Sequence, residues 1–469
     1  MNLPKTIEQA HEGLMKKEFS CIELVRAYLD KIKKENKELN DFLGLTDKLA
    51  LERAGIIDDK ISQREKIGPL EGIPIAVKDN ILVKDYEATA GSKILKNYIA
   101  PYDATVVRKL KEAGAIIIGK TNLDEFAMGS STENSAFGVV KNPFDTNRVP
   151  GGSSGGSAVA VAANHCLGAL GSDTGGSIRQ PAAFCGIVGF KPSYGVVSRY
   201  GLIAMASSLD QIGPLTKNVG DASLIFNCIR GKDNYDSTTI DLKNLEEKNH
   251  NLRIGIPEEF FKEGIDKKLK EKTEKEINKF NDLGFELKEI ALPYAKYALA
   301  VYYILMPAEV SANLARYDGI KYGFSEKDQN LLDNYLKTRA EGFGDEARRR
   351  IMLGTYVLSA GYRDAYYHKA QQVRALIKQE LEKTFEQVDF VLTPTTPTPA
   401  FRIGEKTDPL SMYLSDIYTV PANLAGFPAI SIPCGKVDDL PIGLQIIGPQ
   451  FKDNLVLEVA QTYEQVVGQ

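Results

Sequence analysis

Apolar positions along the chain recur with two periods, and each period predicts a different kind of element. At the N-terminus, the pairs Thr6 with Gln9 and Ser20 with Glu23 form capping boxes that open two helices. Apolar residues follow the second box at helical steps of three and four: Ile22, Val25, Leu29 and Ile32. The pattern therefore predicts an N-terminal helical segment over about 1–60.

Continuous apolar runs further along the chain predict buried strands. The segments 72–80 and 115–119 have this composition, and between them lies a helical pattern over 103–113 that Gly114 ends. Three later segments repeat the order of strand, helix and strand: 252–256, about 267–283 and 285–290. This alternation predicts an α/β fold with a mixed, mostly parallel central sheet covered by helices on both faces.

The remaining pattern supports one large domain over residues 1–469, because no internal repeat or long linker divides it. A longer helical region reaches about residue 387, a strand follows at 390–393, and a hairpin over 429–448 turns at 437–439. Three segments follow the N-terminal helices: a catalytic core at about 70–220, a more variable segment at about 231–293, and substrate-side helices with the C-terminal strands at about 294–469.

Two serine-bearing glycine turns, at 151–156 and 173–177, flank one apolar segment. A helix beginning at Gly156 or Ser157 and another beginning near Ser177 would point their N-terminal N–H groups at these turns. Serine hydroxyls and bare N–H groups would then face one pocket, which suits acyl chemistry. The alternative is a flexible Gly/Ser linker, but linkers do not alternate with buried apolar runs.

Composition narrows the class of protein. The chain has 58 basic and 62 acidic residues and no long basic block, so direct binding to a nucleic-acid backbone has little support unless a partner protein supplies it. Its five cysteines are scattered and form no C-x-x-C pair, which is typical of a reducing cytosol and predicts a cytoplasmic protein. We identify no signal peptide and no apolar run that approaches the length of a membrane span.

Four histidines, each without obvious partners, are expected to be surface or packing residues: His11, His165, His250 and His368. Metal catalysis therefore has little support, and the expected metal content of the chain is none.

Two short motifs match well-known signatures but lack the required context. The segment 114–121 satisfies G-x-x-x-x-G-K-[ST], yet its four central residues are strand-like, whereas a phosphate loop needs inward-turned N–H groups. The segment 151–155 satisfies G-x-S-x-G, the nucleophile elbow, but Pro150 precedes it where a strand should be. A nucleotide-binding or scaffold protein and a Ser-His-Asp hydrolase thus remain as weaker alternatives.

A reactive serine needs a base, and with histidine scarce the best candidate is Lys78 at the end of an apolar strand. Burial disfavours the charged form of an amine, so a neutral Lys78 could take a proton from one serine, which takes one from the other. The alternative is a structural ion pair of Lys78 with Asp79 or Asp103.

Three long motifs resemble the amidase signature family: GIPIAVKDN with Lys78, GGSSGGS with Ser153, and GSDTGGSIRQPAAFCGIVGFKPSYG with Ser177, which is 24 positions further on. Segments such as DEFAMGSSTENSAFG and PANLAGFPAISIPCG are similar to the glutamine-hydrolysing subunits of tRNA-dependent amidotransferases within that family. The resemblance covers nearly the whole chain and is weakest at about 233–251.

The resemblance implies a role for each catalytic residue. Ser177 matches the nucleophile that forms the acyl-enzyme, Ser153 matches a bridging serine whose peptide bond is cis, and Lys78 matches the neutral base. The family's oxyanion hole falls here on the backbone N–H groups of Thr174, Gly175, Gly176 and Ser177.

The resemblance also implies how glutamine is recognised. Arg350 matches a clamp for the α-carboxylate, Asp416 the partner of the α-ammonium group, and Tyr302 a supporting hydroxyl, while Gly129 lies on the substrate side. Arg349 is the alternative to Arg350. On the residues alone, a run of three arginines is more typical of a solvated helix face.

The implied function is a glutaminase subunit that supplies ammonia to its partners. A B subunit would bind tRNA and use ATP and magnesium to activate a mischarged glutamyl or aspartyl group, and a small C subunit would complete the heterotrimer. This chain would hold no cofactor and contact tRNA only indirectly. A stand-alone amidase acting on another small amide is the main alternative. The acceptor tRNA, Glu-tRNA(Gln) or Asp-tRNA(Asn), stays open, as does asparagine as a donor.

Overall fold

In the computed structural model, which describes residues 2–242, 252–262, 264–328 and 330–467, one sheet of eleven strands runs through the described chain. The strands are β1 (Phe42–Leu45), β2 (Pro74–Lys78), β3 (Ile116–Thr121), β4 (Gly168–Asp173), β5 (Val188–Lys191), β6 (Gln211–Thr216), β7 (Arg253–Pro257), β8 (Glu286–Ile290), β9 (Phe390–Pro394), β10 (Ala429–Val437) and β11 (Leu440–Ile447). Their order across the sheet is β1-β3-β2-β4-β6-β5-β10-β11-β9-β7-β8. One sheet of this size confirms a single α/β domain.

Helices flank this sheet. The α-helices of the described residues are α1 (Ile7–Met15), α2 (Cys21–Leu39), α3 (Asp47–Ser62), α4 (Thr105–Glu112), α5 (Gly155–Ala162), α6 (Arg179–Phe184), α7 (Val219–Ile229), α8 (Lys267–Asp282), α9 (Ala298–Asn313), α10 (Leu331–Gly342), α11 (Asp345–Leu358), α12 (Lys369–Gln387), α13 (Pro409–Tyr413), α14 (Val420–Ala425) and α15 (Asp453–Val467). The strands and helices predicted from hydrophobic pattern are confirmed to within a few residues.

The sheet is mixed, as predicted, but parallel pairs do not dominate it. Across the described residues, four of the ten strand pairings are parallel and six are antiparallel. The prediction was wrong on this point because it counted strand-helix-strand units and missed β5 and β6. Strand β6 lies between β4 and β5 and runs antiparallel to both, and a tight turn, not a crossover helix, joins β10 to β11.

The N-terminal caps form as the sequence predicts, with one difference. At α2, the Ser20 side chain accepts from the Glu23 N–H and the Glu23 carboxylate accepts from the Ser20 N–H, a complete capping box. At α1, Thr6 accepts from the Gln9 N–H, but the Gln9 side chain accepts from the N–H of Lys5 instead. Only half of that box is present.

The segment that resembles a phosphate loop is a strand. Residues Ile116–Thr121 form β3 in the interior of the sheet, and all six are buried. Lys120 forms a buried ion pair with Asp79 at 2.9 Å. Since backbone N–H groups of an interior strand are directed at neighbouring strands, this segment offers no cradle for a phosphate.

One helical stretch corrects the expectation that no apolar run approaches the length of a membrane span. Ala295–Arg316, which contains α9, has 22 residues and is long and apolar enough to cross a bilayer by length and composition alone. Lysine, glutamate and proline lie within this stretch, so the sequence shows no uninterrupted apolar run of that length. Helix α9 packs against α11 and α12 and buries Val301, Leu305 and Met306, as a core helix does.

The sequence suggests that none of the histidines has a partner, but the structure contradicts this for His165. His165 is fully buried, and its ring nitrogens lie 2.7 Å from Asp41 and 3.0 Å from Glu35, two residues that are distant from it in sequence. Burial by itself would lower the pKa of His165, but these two carboxylates raise it. His250 lies outside the described residues. The partners of His165 are structural, which removes it as the base of a Ser-His-Asp triad.

Candidate active site

The site lies where two parallel strands end side by side. Lys78 is the last residue of β2 and Asp173 is the last residue of β4, its parallel neighbour. The two glycine turns follow the strand ends in space, and α5 and α6 begin beside them. Carboxyl ends of parallel strands share one edge of a sheet, which is a common location for active sites.

Three serine hydroxyls surround the buried amine of Lys78. Its Nζ atom lies 2.8 Å from Oγ of Ser153, 2.8 Å from Oγ of Ser154 and 2.9 Å from Oγ of Ser172. The sequence predicts the contact with Ser153, whereas it gave no reason to expect Ser154 or Ser172. The amine is thus within proton-transfer distance of the predicted bridging serine.

The structural ion pair considered for Lys78 does not form. Asp79 is the partner of Lys120, and Asp103 is the partner of Lys111 at 2.8 Å. Neither aspartate therefore pairs with the Lys78 amine, which contacts serine hydroxyls.

Burial changes the protonation of Lys78. Loss of solvent lowers the pKa of its amine to about 7, while the carboxylates of Asp124, Asp173 and Asp210 act in the opposite direction. A substantial fraction of the amine is therefore neutral at physiological pH. Such an amine can act as a base.

The pH dependence of turnover follows from this pKa. Because the base must be deprotonated, kcat is expected to rise as pH increases through about 7 and to level off above it. We would measure kcat from about pH 5.5 to about pH 9 with saturating amide substrate. A rate that is flat across this range, or that falls as the amine deprotonates, would contradict the role of Lys78.

The first glycine turn holds Ser153 in a cis peptide. The Gly152–Ser153 bond is cis, as the resemblance implies, and the Gly152 N–H donates to Oε1 of Gln180 at 2.9 Å. The N–H of Ser154 donates to the carbonyl oxygen of Ser177 at 3.1 Å, which joins the two turns directly. Ser153 is fully buried and Ser177 is 8% exposed, so a substrate could reach only the second.

The Asp173 carboxylate organises the second glycine turn. It accepts from the N–H of Gly176 at 2.9 Å and from the N–H of Ile178 at 3.2 Å. One of the four N–H groups assigned to the oxyanion hole, that of Gly176, is therefore engaged inside the turn. The other backbone N–H groups remain predicted donors of the oxyanion hole: those of Thr174, Gly175 and Ser177.

Close packing explains why the second turn contains glycines. A Cβ atom on Gly175 would lie 2.7 Å from the ring of Tyr302, and one on Gly176 would lie 2.2 Å from Oγ1 of Thr419. The Thr419 hydroxyl also donates to the Gly175 carbonyl at 2.6 Å. Tyr302, predicted to support the substrate, thus packs directly on the turn that carries the nucleophile.

Arg179 is a buried cation that sequence reasoning missed. Its Nε and Nη2 atoms each donate to Asp173 at 3.0 Å. Burial by itself would raise the pKa of Asp173, but Arg179 holds it well below its usual range. The same guanidinium donates to Thr419 O at 3.0 Å, to Asn423 Oδ1 at 2.5 Å and to Gln445 Oε1 at 2.5 Å. The signal was present, since Asp173 and Arg179 flank the turn within one motif.

On the substrate side, a loop meets Asp416. Ser130, next to Gly129, donates its hydroxyl to Oδ2 of Asp416 at 2.6 Å, and its carbonyl accepts from Gln180 at 2.9 Å. Burial raises the pKa of Asp416 to about 7, although Ser130 and the charge of Arg350 both lower it. A bound ammonium group would stabilise the ionised carboxylate further.

Arg350 is the buried arginine of its run. Its Nε donates to Glu346 at 2.8 Å, and its guanidinium carbon lies 5.4 Å from the ring of Tyr303 and 5.5 Å from that of Tyr413. Arg349 is exposed and pairs with Glu346 from the solvent side. Burial therefore favours Arg350 over Arg349 as the carboxylate clamp, against the expectation of a solvated face for the whole run.

Replacing Arg350 by lysine is expected to raise the KM for glutamine, the substrate that the resemblance implies, about tenfold or more, with kcat changed only a few-fold. Lysine keeps the charge but loses the planar fork that pairs with a carboxylate through two hydrogen bonds. Steady-state hydrolysis of glutamine gives both constants, and Arg349→Lys is the matched control. Equal KM values for the two variants would refute the assignment.

Among the described residues, no group of three His, Cys, Asp or Glu side chains is arranged to hold a metal ion. The groups present at the site are an amine with a lowered pKa, serine hydroxyls and backbone donors, which is a set suited to acyl transfer.

A family model and the sequence relatives of this chain indicate the same family. The sequence model of the Amidase family matches residues 23–457. The chain is 55% identical over 468 residues to the A subunit of the glutamyl-tRNA(Gln) amidotransferase of Thermoanaerobacter pseudethanolicus, covering 98% of this chain and 96% of that one. The same subunit of Heliobacterium modesticaldum is 54% identical, with 99% and 97% covered.

Solved structures agree with the sequence relatives. The crystal structure of the A subunit of the glutamyl-tRNA(Gln) amidotransferase from Thermotoga maritima matches with a TM-score of 0.81 and 44% identity, covering 99% of this chain and 96% of that one. A crystal structure described as an amidase matches with a TM-score of 0.84 and 30% identity, covering 98% and 99%.

Proposed function

The chain belongs to the Amidase family, and from this premise we propose that it is the glutamine-hydrolysing component of a glutamyl-tRNA(Gln) amidotransferase, equivalent to the A subunit of its relatives. The observation that carries the chemistry is the contact of 2.8 Å between the buried Lys78 amine and the Ser153 hydroxyl. A lysine with that surrounding can serve as a base where no histidine is available. The names of the relatives support an amide-transfer reaction on glutamyl-tRNA(Gln), and glutamine as the amide donor is part of this proposal.

In the proposed reaction, a proton passes from Ser177 to Ser153 and from Ser153 to Lys78. The Ser177 oxygen then attacks the side-chain amide carbon of glutamine and forms a tetrahedral intermediate. Collapse of the intermediate returns the proton to the leaving nitrogen, which releases ammonia and leaves a glutamyl ester that water hydrolyses to glutamate. The intermediate's oxyanion would be stabilised by backbone N–H groups of the second turn: Thr174, Gly175 and Ser177.

Substrate selection rests on two opposite charges placed apart. Asp416 would bind the α-ammonium group of glutamine and Arg350 its α-carboxylate, and all of these side chains are buried, as is Tyr302, the proposed supporting hydroxyl. Gly129 would line the same side, because it directly precedes Ser130, whose hydroxyl donates to Asp416. A simple amide without these two charges would lose both contacts.

The ammonia would be used on partner proteins. We propose a B subunit that binds the mischarged tRNA and uses ATP and magnesium, and a small C subunit. The proposed acceptor is Glu-tRNA(Gln), which the names of the relatives support, and Asp-tRNA(Asn) is the alternative or additional acceptor. Ammonia needs a protected route, since in water at neutral pH it is mostly ammonium and no longer nucleophilic. Exposed apolar side chains support a partner-binding role for α11: Met352, Leu353 and Tyr356.

The free cysteines support a cytoplasmic location. All five are unpaired, as expected in a reducing compartment.

Glutamine hydrolysis with and without partners tests this proposal. We would measure glutamate release by the full chain alone and after addition of the B and C subunits, ATP and charged tRNA. A rise in turnover that requires the partners and tRNA would support a role within an amidotransferase. Hydrolysis of other small amides in preference to glutamine, with no response to partners, would instead favour a stand-alone amidase.

A further inference from the structure

Asp124, a residue outside the predicted catalytic set, lies beneath both the serine turn and the substrate loop. Its backbone N–H donates to the Ser153 carbonyl at 3.3 Å. A Cβ atom on Gly152 would lie 2.2 Å from its Oδ2 atom, and one on Gly129 would lie 2.4 Å from its Oδ1 atom. The carboxylate therefore fills the space that these two glycines leave open.

The hydrogen bonds of Asp124 fix the substrate loop but do not neutralise its charge. Oδ2 accepts from the N–H of Thr132 at 2.9 Å, and Oδ1 accepts from the N–H of Asn134 at 3.1 Å. No ion pair of Asp124 with Lys, Arg or His is found within the described part of the chain, whereas Asp173 is paired with Arg179. Asp124 is fully buried and is the strongest of the carboxylates that act on Lys78.

We propose that Asp124 is a positioning residue that supplies the counter-charge for Lys78 when the amine becomes protonated during acylation. This inference rests on the proposed function, because it needs Lys78 as the base. Moving a proton onto Lys78 creates a cation in a fully buried site, and such a cation is costly unless a negative charge is near. An unpaired carboxylate beside the bridging serine provides that charge without an ion pair that would keep Lys78 protonated throughout the reaction.

The other carboxylates that act on Lys78 are less suited to this role. Asp173 is paired with Arg179, and Asp210, which accepts hydrogen bonds as Asp124 does, acts on the amine less strongly than Asp124. On the neighbouring strand, Lys120 is paired with Asp79. Burial raises the pKa of Asp124 to about 6, and Glu133 contributes in the same direction while Lys78 opposes it, so Asp124 is ionised over the working range of Lys78.

The variant Asp124→Asn keeps the size of the side chain and removes its charge. We expect kcat to fall roughly 10- to 100-fold, because the protonated Lys78 loses its stabilisation in the transition state. At the same time the acid limb of the kcat–pH profile should move to lower pH, since the neutral amine becomes favoured. A purely structural defect would lower kcat without this shift.

Asp221→Asn is the matched control, since Asp221 is also buried, accepts from a backbone N–H at Ile7, and has a pKa raised to about 6 by burial. It should leave both kcat and the profile unchanged. Asp124→Glu, which keeps the charge, should retain the acid limb near that of the wild type and a higher kcat than Asp124→Asn.

The readout is glutamine hydrolysis by the full chain with its partner proteins, with thermal melting to check the fold. An acid limb that does not move in Asp124→Asn, or loss of the fold in both Asp124 variants, would overturn the proposal. Absence of hydrolysis in the wild type would instead refute the proposed function.

Discussion

Replacing Ser177 by alanine is expected to abolish glutamine hydrolysis, with kcat reduced about 10⁴-fold or more. The variant has no nucleophile to form the ester, and the other serines cannot replace it, because Ser153 and Ser154 are fully buried against Lys78. Coupled detection of glutamate in steady state gives kcat, and mass spectrometry of the quenched enzyme shows whether an acyl adduct forms. Neither turnover nor adduct should be seen.

Ser431→Ala is a suitable control for this prediction. Ser431 is also fully buried, and its hydroxyl lies 2.9 Å from that of Thr395, away from the site. It should keep wild-type kcat at a modest loss of stability. Hydrolysis retained in Ser177→Ala at more than about a hundredth of the wild-type rate would show that another group attacks the amide.

Replacing Lys78 by methionine or alanine is expected to lower kcat about 10³-fold or more while the fold is kept. The proton of Ser177 would have no acceptor, since the hydroxyls around the amine are weak bases. Methionine fills most of the lysine volume, so the buried site does not lose its packing. Thermal melting and kcat, measured on the same preparation, distinguish loss of the base from loss of the fold.

The chain offers a second buried lysine as a control. Lys191 is also fully buried, and burial lowers its pKa to about 7, but its Nζ donates to the carbonyl oxygens of Pro192 and Phe427, not to serines. Lys191→Met should reduce stability and leave kcat per folded molecule within a few-fold. If both lysine variants lost activity equally, burial of a charge rather than base catalysis would explain the result.

Much of the catalytic centre can be predicted from local sequence patterns. The apolar run before Lys78 predicts a strand that ends at the amine, and the glycine turns predict two helix starts that face one pocket. The structure places the Lys78 amine at the end of that strand and in contact with Ser153 of the first turn. These signals are short-range, since each depends on a few adjacent residues. They also showed that 114–121 is a strand and not a phosphate loop.

The support around that centre could not be predicted in this way. Arg179 reaches Gln445, 266 positions away, and His165 reaches Asp41 across 124 positions, so no periodicity within a segment indicates either contact. Strands β5 and β6 were missed because glycine and proline interrupt their short apolar runs. The direction of pairing depends on which strands become neighbours, and this is decided by packing across the domain.

The roles of the substrate-binding residues are implied by the resemblance. Burial in the structure then distinguishes between the neighbouring arginines. Sequence alone gave no reason to prefer Arg350 to its neighbours, whereas the structure buries Arg350 and exposes Arg349. Asp124 had no predicted role, because its importance lies in what it touches on two separate turns.

Trapping the acyl-enzyme shows whether Ser177 is the nucleophile and whether Lys78 activates it. The full chain would be incubated with a glutamine analogue that acylates but hydrolyses slowly, quenched, digested and mapped by mass spectrometry, alongside Lys78→Met. We expect a single adduct on Ser177 in the wild type and none, or a far slower one, in Lys78→Met. An adduct on Ser153 or Ser154, or equally fast labelling of the Lys78 variant, would contradict it.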